Sequence, residues 1–587
     1  MLSVEGLTIG FGGPSGPLAL DDVSFSLRRG ETLSLVGESG SGKTLAARSL
    51  LGILPRGAHI RAGHAIFVDR DGASDLLALG DAALRDIRGS RIAMVFQEPM
   101  SALSPLHSVG EQVAEAVRLH HGATRAAAAE RCIEVFAEVG FPDPDRAYAA
   151  YPFQLSGGLR QRAMIAMAMV CRPTLLIADE PTTALDVTTQ ATVLDLIRRL
   201  QAETGMGVLL ITHDLGVVAN VADTVAVMRA GRVVEAGPVT AVLGAAGHPY
   251  TRALMAATPT IPEAPSCRVP TALDTILQVS GLNKTYPGRR LALGRRAPPV
   301  TAAIDVGFAL ERGATLAIVG ESGSGKSTIA RLALLAEIPD PGSRVVFRGR
   351  DGVEIDIGSA GPEALRAFRR RAQMVFQDPF ASLSPRMTIR DILTEPLRVH
   401  RIGTPAEQRD RAAALMARVG LSPDHLGRFP HAFSGGQRQR ISIARALALG
   451  PELLVCDEPT SALDVSVQAQ VLDLLAELRR ELGLSMLFIS HNLAVVAGIA
   501  DHVAVMRRGR IVESAPVDRL FLAPVHPYTQ ALIAASPVAD CEARLDLAAV
   551  SLGAGEPETW PERFRVGEHA VPALREIEAG HFVRCAA

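Results

Sequence analysis

Gly37-Glu38-Ser39-Gly40-Ser41-Gly42-Lys43-Thr44 decides the fold. An apolar run, Thr32 to Val36, leads into it, and Leu45-Ala46-Ala47-Arg48-Ser49-Leu50-Leu51 follows with helical character. Strand, GxxxxGK[ST] and helix in that order are the context a phosphate-binding loop requires. The glycines let the backbone wrap with its N–H groups turned inward, and the helix N-terminus adds partial positive charge. Lys43 is placed to reach terminal phosphates, and the Thr44 hydroxyl to ligate Mg²⁺. A Gly/Ser turn that happens to precede Lys-Thr is the plain alternative. It fails because Gly320-Glu321-Ser322-Gly323-Ser324-Gly325-Lys326-Ser327-Thr328 repeats the pattern after a second apolar run, Thr315 to Val319.

The repeat extends well beyond the loop. Met94-Val95-Phe96-Gln97 returns as Met374-Val375-Phe376-Gln377, and Ser156-Gly157-Gly158 as Ser434-Gly435-Gly436. From there the interval is constant through Asp179/Asp457, His213/His491 and the closing His248-Pro249-Tyr250-Thr251/His526-Pro527-Tyr528-Thr529. The period is a whole domain rather than a solenoid unit. The sequence therefore divides into a first copy over 1–261, a Pro-rich linker over 262–275, a second copy over 276–537 and a C-terminal extension over 538–587. A linker of about 14 residues reaches at most roughly 45–50 Å, enough to tether neighbours but not to admit a third domain between them.

Within each copy, short continuous apolar runs such as Leu175 to Ala178 and Val208 to Thr212 read as strands covered on both faces. An Ala/Glu/Arg-rich stretch from Glu111 to Val139 has helical spacing instead. The alternation predicts an α/β fold with a mostly parallel sheet and a helical insertion.

Bulk properties narrow the function. A formal net charge of −2 over 587 residues offers no excess of positive charge for a nucleic-acid partner. The start, Met1-Leu2-Ser3-Val4-Glu5-Gly6, lacks the basic and apolar regions of a secretory signal. No run approaches the roughly 18 uninterrupted apolar residues of a membrane span. The slightly positive mean hydropathy is explained by buried strands and Ala-rich helices. The six cysteines, at 132, 171, 267, 456, 541 and 585, form no CxxC pair and fit a reduced, cytoplasmic protein.

Chemistry concentrates at the strand ends. Asp179-Glu180 and Asp457-Glu458 each follow an apolar strand. The first carboxylate of such a pair helps hold Mg²⁺, and the second is placed to take a proton from attacking water. Ser156-Gly157-Gly158 and Ser434-Gly435-Gly436-Gln437 each open a helix, the first running to about Val170. Such an N-terminus can cap itself, or present backbone donors to a γ-phosphate held by another domain. His213 and His491, each just after a strand, could bond the same phosphate.

Together these motifs resemble an ABC-transporter ATPase domain, twice, over essentially residues 1 to 537. The order is Walker A, Gln97, the SGG signature, Walker B with Glu180, Thr183-Ala184-Leu185-Asp186 and His213. The second set carries Gln377, Glu458, Ser461-Ala462-Leu463-Asp464 and His491. The resemblance implies two tandem P-loop NTPase domains, each with a sheet core, a helical subdomain and an N-terminal antiparallel β part. It implies ATP and Mg²⁺, sandwiched head to tail so that each site borrows the other domain's signature. One site would join Gly37, Ser39, Gly40, Ser41, Gly42, Lys43, Thr44, Gln97, Asp179, Glu180 and His213 to Ser434, Gly435, Gly436 and Gln437. The other would join Gly320, Ser322, Gly323, Ser324, Gly325, Lys326, Ser327, Thr328, Gln377, Asp457, Glu458 and His491 to Ser156, Gly157 and Gly158, and Asp186 and Asp464 are further implied nucleotide-binding residues. Thr44, Ser327, Gln97, Gln377, Asp179 and Asp457 are the implied metal ligands, and the glutamates, histidines and glutamines the catalytic set. Phe11 and Tyr286 fall where the family stacks an aromatic on adenine. Leu159 departs from the pattern, standing where the family usually has Gln. One lost hydrogen bond costs about 1 kcal/mol, against about 10²–10⁴-fold for a lost general base, so both sites are expected to hydrolyse.

Phe96-Gln97-Glu98-Pro99-Met100-Ser101-Ala102-Leu103-Ser104-Pro105, its twin at 376–385 and the closing His-Pro-Tyr-Thr are similar to the peptide/nickel importer group, and the fused arrangement resembles the microcin C/oligopeptide and glutathione importer ATPases, the first more closely. That resemblance implies two integral-membrane permeases as partners, a periplasmic solute-binding protein beyond them, and a peripheral place on the cytoplasmic face of the inner membrane. Some members bind an iron–sulfur cluster through four tail cysteines. Only Cys585 stands in such a position here, without closely spaced cysteines upstream, so no cluster is expected. Trp560 reads as a packing residue. Fused sugar-importer ATPases and soluble tandem ATPases acting on ribosomes or nucleic acid are the alternatives. The former often carry one degenerate site, and the latter a long charged linker or cluster cysteines. A nucleotide-gated scaffold would need a broken catalytic set.

Overall fold

The computed structural model describes residues 1–13, 15–98, 102–182, 185–261, 274–288, 298–461, 463–541, 546–555, 557–565 and 572–586. Most of the expected linker (262–273), Pro99-Met100-Ser101 of the first Gln loop, Thr183-Ala184 and Ala462 lie outside them. The chain forms two compact units, one built chiefly of Met1–Thr258, the other chiefly of Pro259–Leu463, Val467–Ser536 and Ala548–Ala587.

In the first unit the central sheet runs Arg232–Pro238, Thr224–Arg229, Thr32–Val36, Gly207–Thr212, Leu175–Asp179, Ile92–Val95. Thr32–Val36 is parallel to both of its neighbours. Every residue of Thr32–Val36, Leu175–Asp179 and Gly207–Thr212 is buried, which is why these strands read as unbroken apolar runs. A separate four-stranded antiparallel sheet, ordered Leu18–Leu27, Leu2–Phe11, Ala58–Asp69, Gly72–Asp75, covers one side of the core. The stretch expected to be one helical region is two helices, Val109–His121 and Arg125–Glu138. Gly122, in the left-handed conformation, ends the first, and the Thr124 side chain caps the second. They pack with Gly157–Met169 around Val113, Cys132, Phe136 and Ile165.

The second unit repeats this plan with Thr315–Val319 at the centre and Ile389–Val399, Pro405–Arg418 and Gly435–Leu447 as its helical part. Its sheet has two further strands. His581–Cys585 pairs antiparallel with Arg510–Pro516, and Ala573–Glu578 pairs with His581–Cys585. The C-terminal extension thus lengthens the second unit's sheet, which the sequence pattern did not announce. Trp560, 2 % exposed, packs in the second unit's core as expected. Among the described residues no helix is long and apolar enough to cross a membrane.

Candidate functional site

Each loop wraps its own lysine. Lys43 Nζ donates to the carbonyls of Gly37 (2.7 Å) and Glu38 (2.9 Å), and Lys326 Nζ to those of Gly320 (2.8 Å) and Glu321 (2.7 Å). Both lysines are nearly buried. Burial pushes the Lys43 ammonium below its ordinary value, against the opposing charges of Glu180 and Asp179. The glycines are required by space as well as by φ. A Cβ on Gly37 would stand 2.2 Å from the Met228 carbonyl oxygen, and one on Gly320 2.1 Å from that of Met506. Gly42 and Gly325 have φ of 100° and 105° and cap the helices Lys43–Leu50 and Lys326–Ala333.

Behind each loop sits the expected carboxylate. Thr44 Oγ1 donates to Asp179 Oδ1 at 2.9 Å, and Ser327 Oγ to Asp457 Oδ1 at 2.9 Å. Burial raises both carboxyls, the hydroxyl bond opposing it in each case. Asp179 Oδ2 is buried with no hydrogen-bond partner among the described residues. A buried oxygen of that kind, next to a hydroxyl and beneath a phosphate loop, fits a hard divalent cation with oxygen ligands. The residues present therefore suit Mg²⁺.

The neighbouring glutamate is bracketed. Gln97 Nε2 donates to Glu180 Oε2 (2.7 Å), and His213 Nδ1 lies 3.1 Å from Oε1. In the second unit Gln377 Nε2 donates to Glu458 Oε2 (2.8 Å), and His491 Nδ1 lies 3.3 Å from Oε1. The glutamines, expected as metal ligands, thus spend their amide N–H on the glutamates here. The hydrogen bond to Glu180 holds the His213 imidazolium above its ordinary pKa, outweighing burial. Burial would raise the Glu458 carboxyl, but the His491 hydrogen bond and charge, with Lys326, hold it below the usual range. Both glutamates have φ of 46°, a left-handed conformation rare outside glycine. Strain at the same residue of both copies is the pattern of a functional constraint. Nothing in the residue types predicts it.

The signature helices start as expected, at Gly157 and Gly435. Ser156 Oγ accepts from Leu159 N (3.3 Å) and Ser434 Oγ from Gln437 N (3.4 Å). Gln437 Oε1 also accepts from Ser434 N at 3.0 Å, closing a capping box that Leu159 cannot form. Cβ atoms on Gly158 and Gly436 would strike Thr189 and Val467 within their own units. A Cβ on Gly157 would meet nothing within 4 Å, and one on Gly435 only Leu463 at 3.9 Å. Asp186 caps Val187–Thr204 through Thr189 N (2.9 Å), and Asp464 immediately precedes Val465–Leu482.

The two aromatic positions differ. Phe11 ends its strand as an exposed residue. Tyr286 ends the equivalent strand with its hydroxyl donating to Glu337 and the Lys284 ammonium 5.4 Å from its ring centre. Burial, then Glu337, raises its phenol, while a hydrogen bond with Thr328 works the other way.

A family model described as ABC transporter matches residues 20–183 and again 304–461. One described as oligopeptide/dipeptide transporter, C-terminal region, matches 234–276 and 512–559. The chain is 47% identical over 566 residues to the glutathione import ATP-binding protein GsiA of Salmonella typhi, covering 92% of this chain and 90% of that one. To the protein of the same name from Escherichia coli (strain K12) it is 45% identical over 610 residues, covering 99% and 96%.

Proposed function

The chain belongs to the ABC-transporter ATPase family, and we propose that it is the subunit that energises uptake of small peptides, glutathione among them, through partner permeases. The observation that carries this is that each half pairs a phosphate loop and a glutamate bracketed by glutamine and histidine with a match to the peptide-transporter C-terminal region. The same reading puts the protein on the cytoplasmic face of the membrane, held there by two permease subunits that receive solute from a periplasmic binding protein.

The residues do the following when MgATP is bound. The loop N–H groups and Lys43 or Lys326 hold the β- and γ-phosphates, the lysine trading its two carbonyl partners for phosphate oxygens. Thr44 with Asp179, and Ser327 with Asp457, would hold Mg²⁺, which would supply positive charge against the phosphates. A water attacks the γ-phosphorus and gives its proton to Glu180 or Glu458 as the bond to the ADP oxygen breaks. Gln97 and His213, or Gln377 and His491, keep that carboxylate in place. His213 can also donate to the γ-phosphate through Nε2.

Head-to-tail pairing would complete each site with the opposite signature. Its support is the open space at Gly157 and Gly435, where neither clash nor positive φ within the unit demands glycine. A requirement for close approach from outside accounts for it.

Co-expression with candidate permeases, followed by vesicle uptake of glutathione, dipeptides and a sugar control, tests the proposal. ATP-dependent uptake of a peptide is expected. Uptake of sugar alone, or co-purification with ribosomes instead of permeases, would sink it.

A further inference from the structure

The closing His-Pro-Tyr-Thr of each unit does more than end a domain. Tyr250 Oη accepts from the backbone N–H of Glu38 at 3.2 Å, and Tyr528 Oη from that of Glu321 at 3.1 Å. Glu38 and Glu321 are the second residues of the two phosphate loops, and their carbonyls are among those that hold the lysines. The same peptide segment is thus gripped at its N–H by a residue some two hundred positions away and at its C=O by its own lysine. The same carbonyls also accept from the loops' own Ser41 N–H (3.1 Å) and Ser324 N–H (3.2 Å), so when the lysine leaves for phosphate the tyrosine is the hold that comes from outside the loop.

The second tyrosine is itself held. Arg507 lies between the rings of Tyr528 (5.1 Å) and Trp560 (4.4 Å), and donates to the Gly555 carbonyl at 2.7 Å. Trp560 and Phe564 meet the His526 ring edge-on, at 4.8 and 5.2 Å, and His526 Nδ1 accepts from Tyr528 N. Gly553 lets the extension close on this motif, since a Cβ there would stand 2.3 Å from Ala531 Cβ and from the Pro527 carbonyl oxygen. In the first unit Arg229 covers Tyr250 at 4.9 Å but is itself exposed.

We propose that Tyr250 and Tyr528 are positioning residues that keep the phosphate loops shaped for nucleotide, and that the part of the C-terminal extension carrying Gly553, Trp560 and Phe564 sets this grip in the second unit. Every contact used lies within one unit, so the inference stands apart from head-to-tail pairing.

The test uses the full chain, with Lys43→Ala to leave the second site and Lys326→Ala to leave the first, and MgATP as the probe. Tyr528→Phe should weaken binding at the second site about fivefold, the worth of one hydrogen bond, and Tyr250→Phe likewise at the first. Both should raise KM with kcat and Tm nearly unchanged, because the ring packing is kept. Trp560→Phe, and more strongly Trp560→Ala, should weaken the second site only, and combine less than multiplicatively with Tyr528→Phe. Wild-type affinity in either tyrosine variant overturns the positioning role. Equal weakening of both sites by the Trp560 variants, or a multiplicative double variant, overturns the part given to the extension.

Discussion

Glu235 and Glu513 hold corresponding places in the two units, yet live in different surroundings. Glu235 accepts from the N–H groups of Gly247 and His248, and Glu513 from those of Val525 and His526. Glu235 is half-buried, whereas Glu513 is fully buried, with His581 of the extension 2.8 Å from it. A solvated carboxylate can cap a turn without further help; a buried one needs every lone pair answered. The extension that buries Glu513 therefore also brings its partner. The two units keep the residues around their phosphate loops alike, while the surface behind one of them has become an interior.

The largest effects should fall where the units are alike. Glu180→Gln and Glu458→Gln each remove the proposed proton acceptor while leaving its glutamine and histidine neighbours in place. Each should cut ATP turnover by about 10²–10⁴-fold at its own site. Near-wild-type ATPase from either single variant would mean that the two sites are not equivalent and that only one is hydrolytic.

The next effect should separate the units. Trp560→Ala empties a buried site between His526 and Arg507, and such truncations cost about 3–5 kcal/mol. The loss should appear in the second unit's calorimetric transition alone; a matched fall in the first unit's transition would break the contrast.

Acid should draw the same line more gently. Burial, with the charges of Arg507 and Arg584, pushes His526 down to about 3, and burial with His581 pushes His502 to about 4. Above their ordinary value near 6.5 neither state binds a proton. Below it the unfolded chain takes up protons that the folded unit refuses, so stability falls with pH from about 6.5 toward the folded values. The physical reason is visible at His526, whose Nδ1 must stay an acceptor for Tyr528 N. Trp560 is the chain's only tryptophan, so its fluorescence reports this undocking directly. His526→Asn should flatten the dependence, and an emission unchanged down to pH 4 would contradict it.

What could be read beforehand follows from where the physics is local. Thr32–Val36 and Thr315–Val319 announce themselves because strands buried on both faces must be apolar throughout, and the loops because phosphate needs glycines at fixed spacing. The carboxylates, histidines and signature helices come with them. Two kinds of feature stayed hidden. The left-handed φ at Glu180 and Glu458 is imposed by surroundings, since glutamate has no preference for it. The grip of Tyr250 and Tyr528 on the loops joins residues remote in sequence through one hydroxyl, and their motif could be seen but not its partner. The hairpin Ala573–Glu578/His581–Cys585 escaped because its first strand is almost wholly exposed and shows no alternation.

The smallest effect bears on the signature helices, where Leu159 stands in the place of Gln437. Gln437→Leu makes the second signature like the first, removing the acceptor from Ser434 N. That N–H sits at an exposed helix end where water can replace the lost partner, so the cost should be about 0.5–1 kcal/mol, at most fivefold in rate. The reverse change, Leu159→Gln, should gain less, because Leu159 gives up its packing against the first unit's helical core. Steady-state ATPase of both variants distinguishes a capping side chain from one that touches nucleotide. A fall far beyond fivefold in Gln437→Leu would place Gln437 on the nucleotide, and the two sites would then differ in chemistry and not only in how firmly their helices begin.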